Sequence, residues 1–354
     1  MKIMIMAGGT GGHVYPALAV AQVLRAGGHE VVWMGAPDSF ESRTVPRHGI
    51  EIEFIRVQGL RGKGLLRWLA APLLLVRALR DALAALHRRQ PEVVLGMGGF
   101  AAGPGGFATW LSRRPLVIHE QNAIAGLTNR LLARIARRVL QAFPNTFRNG
   151  VTVGNPVRAG FSEIPDAVAR AVGATVPPRL LVLGGSQGAR ALNELVPAAL
   201  SRLSAAQRPQ VCHQAGRTLD VAQAAYAGVG VVAEVTAFID DMAAAYSWAD
   251  LVVCRAGAST VAELAAAGCA ALLVPFPYAV DDHQTCNGQY LVDAGAALMV
   301  PEPQLDADRL AEMLGALFAQ PTRLVEMARA ARRAAWPGAN RAIADVCIAE
   351  AVPC

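Results

Sequence analysis

Two α/β domains, each a doubly wound parallel sheet, are the architecture that this 354-residue chain predicts. Three observations predict it. Short apolar runs of strand length alternate with helix-length segments, the pattern of parallel sheets covered on both faces. The alternation restarts near residue 179, after the Pro-containing stretch 154–178. Both halves open alike, with an apolar strand running straight into a glycine-rich loop.

The elements follow in order. Lys2–Met6 reads as a strand, Ala7–His13 as a loop, Pro16–Ala26 as a helix and Glu30–Met34 as the next strand. Val93–Gly96, Leu116–Ile118 and Val139–Gln141 continue the first sheet. The second series is Leu180–Leu183, Gln210–His213, Gly230–Glu234, Leu251–Cys254 and Ala271–Val274. Helices fall between most of these, and a hinge is expected near Asn155–Arg158.

Composition narrows the class. At 53% hydrophobic and 17% charged residues, the chain is too apolar for disorder. Its glycines and prolines follow no repeat, which excludes collagen. The six cysteines (Cys212, Cys254, Cys269, Cys286, Cys347 and Cys354) form no C-x-x-C pair and read as small buried hydrophobes in a reducing compartment. The apolar residues 1–7 run directly into the glycine loop, too short a stretch for a secretory signal. The uncharged stretches Ile3–Leu24, Val93–Ser112 and Leu264–Val280 are each broken by glycine or proline, so none reads as a membrane span. A cytoplasmic location is expected.

Charge is unevenly spread. Residues 1–157 hold 19 basic and 8 acidic residues, whereas the remainder holds 14 and 19. Such asymmetry points to a polyanionic surface partner for the first half, a nucleic acid or an anionic membrane. The half lacks a nucleic-acid reading motif, which favours the membrane. In Arg61–Arg77, basic residues interleave with leucines and Trp68. That composition suits an interfacial helix, or equally a core helix with a basic solvent face.

Three glycine-rich loops stand at strand ends: Gly8-Gly9-Thr10-Gly11-Gly12-His13, Gly96-Met97-Gly98-Gly99, and Gly184-Gly185-Ser186-Gln187-Gly188. Glycine lets backbone approach a ligand closely, and a following helix N-terminus offers free N–H groups to phosphate. In open α/β sheets ligands bind at this carboxyl edge. Neither half's opening loop fits G-x-G-x-x-G: the pattern fails at Val14 in one and at Ser186 in the other, against a nicotinamide enzyme. His13 reads as a general base or as a helix-capping residue. His119-Glu120-Gln121-Asn122, directly after a strand, reads as a ligand rim or a solvated loop. In Arg255–Glu263, Ser259 or Thr260 is expected to cap the following helix, and Glu263 could accept bonds from ribose hydroxyls. Asp281–Asn287 is rich in groups suited to a sugar. No metal cluster stands out, and Asp306-Ala307-Asp308 reads as a helix cap.

Taken in order, Gly8–Ala19, Gly98-Gly99-Phe100, His119–Asn122, Gly154-Asn155-Pro156-Val157-Arg158, Gly184–Arg190, Phe238-Ile239-Asp240-Asp241-Met242 and Arg255–Thr260 closely resemble the MurG family, over essentially the whole chain. These are the N-acetylglucosaminyltransferases that convert lipid I to lipid II in peptidoglycan synthesis. The resemblance implies a GT-B fold, two Rossmann-like domains facing a cleft: 1–157 with a returning 336–354, and 158–335. It implies UDP-N-acetylglucosamine as donor, the lipid I undecaprenyl-diphosphate pentapeptide as acceptor, and no required cofactor. It implies a peripheral protein on the cytoplasmic face of the inner membrane, with anionic lipid and cell-wall assembly proteins as candidate partners and no nucleic acid.

Position by position, Ser186 and Arg158 would meet the diphosphate, Ile239 the uracil, and Ala258, Ser259, Thr260, Val261, Ala262 and Glu263 would wrap uridine and phosphate. Gln284 and Asn122 would touch the sugar, with Thr10, Gly11 and Gly12 over the donor. Gly98, Gly99, Leu65, Leu66, Trp68 and Leu69 fall to the acceptor and membrane surface. His13 is the candidate base. Many relatives have Ser-Gly-Ala-Leu-Thr where this chain has Ala256-Gly257-Ala258-Ser259-Thr260. A UDP-N-acetylglucosamine 2-epimerase on the same scaffold and a noncatalytic UDP-sugar-binding module are the alternatives.

Overall fold

The computed structural model describes residues 1–57, 65–174, 176–185 and 187–351, without the side chains of 65–71, 162 and 280. Its contacts divide the chain into two units, Met1–Arg158 with Gly338–Cys354, and Ala159–Pro337.

The first unit holds strands β1 (Lys2–Met6), β2 (Glu30–Gly35), β3 (Glu51–Phe54), β4 (Val93–Gly96), β5 (Leu116–Glu120), β6 (Arg138–Gln141) and β7 (Val151–Thr152). They form one parallel sheet in the order β3-β2-β1-β4-β5-β6-β7. β1 is central, paired with β2 and β4, and beyond Lys2 every residue of it is buried. Its unbroken apolar run follows from cover on both faces. The helices are α1 (Gly11–Ala26), α2 (Phe40–Thr44), α3 (Leu65–Arg89), α4 (Ala102–Leu111) and α5 (Leu127–Leu132).

The second unit has strands β8 (Arg179–Leu183), β9 (Gln210–Gln214), β10 (Glu234–Thr236), β11 (Leu251–Cys254), β12 (Ala270–Leu273) and β13 (Ala297–Met299), ordered β10-β9-β8-β11-β12-β13 and again parallel. Its helices are α6 (Arg190–Arg202), α7 (Leu219–Val229), α8 (Met242–Trp248), α9 (Ala258–Ala267), α10 (His283–Asp293), α11 (Ala307–Phe318) and α12 (Pro321–Arg333). The last helix, α13 (Ala339–Glu350), belongs to the first unit, where Ile343, Ala344 and Cys347 join the core under α1. Asn340 exchanges two hydrogen bonds with the backbone of Val157, at 3.1 and 2.8 Å. Arg137 and Arg138 each reach the Glu350 carboxylate at 2.5 Å.

Several expected boundaries move. The first helix begins at Gly11, not Pro16. Thr10 is extended, and its carbonyl accepts from the N–H groups of His13 and Val14, so two glycines and a histidine become the first turn. The strand expected at Gly230–Glu234 lies instead at Glu234–Thr236, because Gly230 closes α7 in the left-handed region (φ 64°). β3, β7 and β13 were not foreseen. All three are short edge strands; β3 and β7 lack a continuous apolar run, and β13 is only three residues long. Ser259 and Thr260 lie inside α9, whose cap position is Gly257. Asp306 does cap α11, accepting from the Arg309 N–H at 2.8 Å.

Candidate active site

In the first unit the loops after β1, β4 and β5 meet at the carboxyl edge, where neighbouring strands diverge in connection on either side of β1. Gly98 (φ +89°) and Gly99 (φ +85°) are both left-handed. A Cβ at Gly99 would lie 2.7 Å from the Gly8 backbone nitrogen and carbonyl carbon, and one at Gly98 would lie 2.8 Å from Nδ1 of His13. Glycine at these positions therefore lets one loop rest on another and leaves room for the imidazole.

His13 sits in the first turn of α1, half-buried. Its Nδ1 is 3.0 Å from Oε1 of Gln121, and the Gln121 amide donates to the Met97 carbonyl at 2.8 Å. Below the first loop lies Glu41, a buried carboxylate accepting from the N–H groups of Gly9 (3.0 Å) and Ala36 (3.1 Å). The Trp33 indole N–H donates to the Ala7 carbonyl at 2.8 Å.

The polar run after β5 is mostly interior rather than the expected rim. His119, Glu120 and Gln121 are all buried, and β5 extends through Glu120. The Glu120 carboxylate accepts from the backbone and side chain of Asn122, from the Gly126 N–H and from the Asn129 amide, at 2.9–3.2 Å. It thereby shapes the turn that presents half-buried Asn122. His119 approaches the Gly154 carbonyl at 2.9 Å. Burial pushes its pKa down to about 4, against the opposing pull of that carbonyl and of Glu120. Burial alone does the same to His213, also to about 4, between Tyr226 and Asn193 in the second unit.

Both histidines are held neutral in the folded state and gain a proton on unfolding near their ordinary value of 6.5. The unfolded chain thus binds more protons between pH 6.5 and 4, so stability falls as pH drops through that window. The expected loss across that window is roughly 3 kcal/mol for each histidine. Ring-proton NMR titration should find both histidines neutral down to near pH 4, while unfolding midpoints decline from pH 6.5; titration of both rings near pH 6.5 in the folded protein would contradict this.

In the second unit β8 and β11 are neighbours, so the loop from Gly184 and the turn into α9 leave the sheet side by side. Ala258–Glu263 forms the first turns of α9, with Ala258 and Val261 buried and Ser259, Thr260, Ala262 and Glu263 half-buried. The Tyr246 hydroxyl stands 3.4 Å from the Glu263 carboxylate. Gln284 joins this turn: its Oε1 accepts from the N–H groups of Ala256 (3.2 Å) and Phe276 (2.9 Å). That oxygen is spent on the backbone. Arg255 binds the carbonyls of Val274 and Pro275 and pairs with Glu302, clamping the same two loops together. Ile239 is half-buried ahead of α8. Arg158 belongs to the first unit, its guanidinium carbon 5.2 Å from the Tyr15 ring centroid. Ser186 lies outside the described residues, as do the side chains of Leu65, Leu66, Trp68 and Leu69 and all of 58–64.

The continuation of α3 carries exposed Leu73, Leu74, Leu75 and Val76. α4 packs against α3 and α5 against α4. α4 adds Phe107 and Trp110, stacked at 5.4 Å and nearly half exposed, and α5 adds Leu127 and Leu131. Exposed Arg77, Arg80, Arg113, Arg130 and Arg134 stand on these helices or at their ends. The α4 and α5 contribution escaped sequence reading, because Phe107 and Trp110 are ordinary core residues by type. Gln121 and Glu41 were missed as parts of the His13 setting; Glu41 carries no sequence signal at all.

Two Rossmann-like units, each with glycine-rich loops at the carboxyl edge of a parallel sheet, form an α/β architecture suited to nucleotide-bearing ligands. The model of the glycosyltransferase family 28 N-terminal domain matches residues 3–141, and that of the C-terminal domain matches residues 179–342. The chain belongs to glycosyltransferase family 28, and its fold is of the GT-B class. Within that family it belongs with MurG. It is 57% identical, over 99% of both chains, to the UDP-N-acetylglucosamine–N-acetylmuramyl-(pentapeptide) pyrophosphoryl-undecaprenol N-acetylglucosamine transferase of Alkalilimnicola ehrlichii. It is 56% identical, over 98% of both chains, to the protein of the same name from Nitrosococcus oceani. The crystal structure of Acinetobacter baumannii MurG matches with a TM-score of 0.84 at 41% identity, over 98% of this chain and 99% of that one. The calicheamicin glycosyltransferase CalG4, at 19% identity and a TM-score of 0.68 over 99% and 98% of the two chains, shares the fold alone.

Proposed function

We propose that this protein transfers N-acetylglucosamine from UDP-N-acetylglucosamine to the 4-hydroxyl of lipid I, giving lipid II for peptidoglycan, with inversion at the anomeric carbon. The observation that carries the reading is near-complete, 57% identical coverage by a transferase named for this reaction. The second unit takes the donor. The Gly184 loop with Ser186 approaches the diphosphate, the N-terminal turns of α9 receive uridine and phosphate, Glu263 takes the ribose hydroxyls, Ile239 lies by the uracil, and the Gln284 amide takes a sugar hydroxyl. In the first unit Thr10, Gly11, Gly12 and Asn122 contribute to the donor site, and Gly98 and Gly99 serve the acceptor. His13 removes the proton of the attacking hydroxyl as the C1–O bond to UDP breaks. UDP leaves as an anion met by helix N–H groups and Arg158, an electrostatic contribution that needs no reorganisation.

A membrane surface fits the rest. Among the described residues no helix is long and apolar enough to cross a bilayer. The exposed apolar residues of α3, α4 and α5, with arginines around them, suit an interfacial contact with anionic lipid on the cytoplasmic face. Trp110→Glu should reduce binding to anionic vesicles about 10- to 100-fold in sedimentation assays. Parental binding would remove this surface from the role.

The reaction itself is tested by incubating labelled UDP-N-acetylglucosamine with a lipid I analogue. Label in the lipid and UDP release that depends on the acceptor are expected. Epimerised donor without transfer would indicate the 2-epimerase, and binding without turnover a carrier module.

A further inference from the structure

We infer that Gln121 is a positioning residue that fixes the tautomer of His13, holding its proton on Nδ1 so that Nε2 is the basic nitrogen. The inference rests on the reading of His13 as the base and deepens it. A backbone carbonyl can only accept a hydrogen bond, so the Gln121 NH2 must face Met97 O, as it does at 2.8 Å. That orients Oε1 toward His13, 3.0 Å from Nδ1. An amide oxygen can only accept as well. The imidazole nitrogen facing it must therefore carry the hydrogen, and in the neutral ring the other nitrogen then has the free lone pair.

The relay is built rather than incidental. Gln121 is 1% exposed at the end of β5, and its anchor, Met97, is buried just past β4. The Met97 N–H in turn donates to the Met6 carbonyl at 2.8 Å, tying the anchor to β1, which leads into the His13 loop. Gly98 completes the arrangement, since a Cβ there would stand 2.8 Å from Nδ1 and 3.5 Å from the Gln121 oxygen, between the two partners. Three strand ends thus converge on one ring nitrogen. Catalysis then requires no rearrangement of the ring: the acceptor hydroxyl gives its proton to Nε2, the hydroxyl oxygen bonds to C1, and the electron pair of the old C1–O bond leaves with UDP. The imidazolium so formed keeps its Nδ1–H on Gln121.

The test is long-range proton–nitrogen NMR of the full chain labelled with 15N-histidine, at a pH where the rings are neutral, with the His13 signals identified by their loss in His13→Ala. The parent should show Nδ1 protonated and Nε2 bare. In Gln121→Met the Nδ1–H form should lose its dominance, and kcat should fall by about 10²-fold with the KM for UDP-N-acetylglucosamine unchanged. Gln121→Glu, which as the buried neutral acid keeps a donor toward the Met97 carbonyl and an acceptor toward Nδ1, should restore the Nδ1–H form and most of kcat. A parent carrying its proton on Nε2 would overturn the inference whatever the variants do. So would Gln121→Met turning over at the parental rate, or losing rate with its tautomer unchanged. Parental turnover in His13→Ala is a different failure: it removes the base reading and leaves the tautomer measurement standing.

Discussion

His13→Ala should lower kcat by about 10²–10⁴-fold, equivalent to roughly 3–5 kcal/mol of lost transition-state stabilisation, while UDP binding stays at its parental value. The separation follows from where the residues lie. His13 is in the first unit, on the first turn of α1, whereas the turns of α9 and the Gln284 amide belong to the second. Removing the imidazole leaves those groups in place and takes away the proposed acceptor of the hydroxyl proton. The glycine loop keeps its hold on Glu41 and Trp33. Steady-state kinetics with a lipid I analogue, beside calorimetric titration of UDP, check both halves. Unchanged turnover would remove His13 from the reaction, and weakened UDP binding would show that the side chain serves the donor.

Gly99→Ala should be the most damaging small substitution in the first unit. The new methyl would overlap the Gly8 carbonyl oxygen and stand 2.7 Å from the Gly8 nitrogen and carbonyl carbon, well inside contact, and φ at this position is +85°. Neither neighbour can yield cheaply, because both partners are main chain. Left-handed strain costs about 1–3 kcal/mol and overpacking a similar amount. A loss of about 3 kcal/mol or more in unfolding free energy is expected. The loop that relaxes the clash also borders His13, and misplacement by about an ångström near reacting groups costs of the order of 10²-fold in rate. The matched control is Gly228→Ala inside α7, where nothing lies within 4 Å of the added carbon. There the change should be neutral or stabilising by up to about 1 kcal/mol. Urea unfolding and kcat for the pair test the account, and a Gly99→Ala protein as stable as the parent would refute it.

The stacked main chains of Gly8 and Gly99 also show where sequence reading stopped. All three glycine-rich loops were visible as patterns after apolar strands, because a strand–loop–helix step is local. Their meeting was not, since 91 residues separate the two glycines. The run from His119 to Asn122 illustrates the same limit. As four polar residues after a strand it read as a rim. The structure buries three of them and pairs them with carbonyls, amides and a histidine ring, leaving Asn122 half-exposed. Residue type states what a side chain can bond to, but burial decides whether it bonds to substrate or to its own fold.

By itself the sequence determined the two α/β repeats, the strands that lie inside the sheets, the loops that carry chemistry and the family resemblance. Apolar continuity and glycine placement act over a few residues and survive without knowledge of neighbours. Only the tertiary structure decided the edge strands β3, β7 and β13, the start of α1 at Gly11, the spread of the exposed apolar surface onto α4 and α5, and the joining of Met97, Gln121 and His13 in one chain of hydrogen bonds. Each of these depends on which distant segment supplies a hydrogen-bond partner or covers an apolar face, and that is settled by packing, after the local preferences have been satisfied.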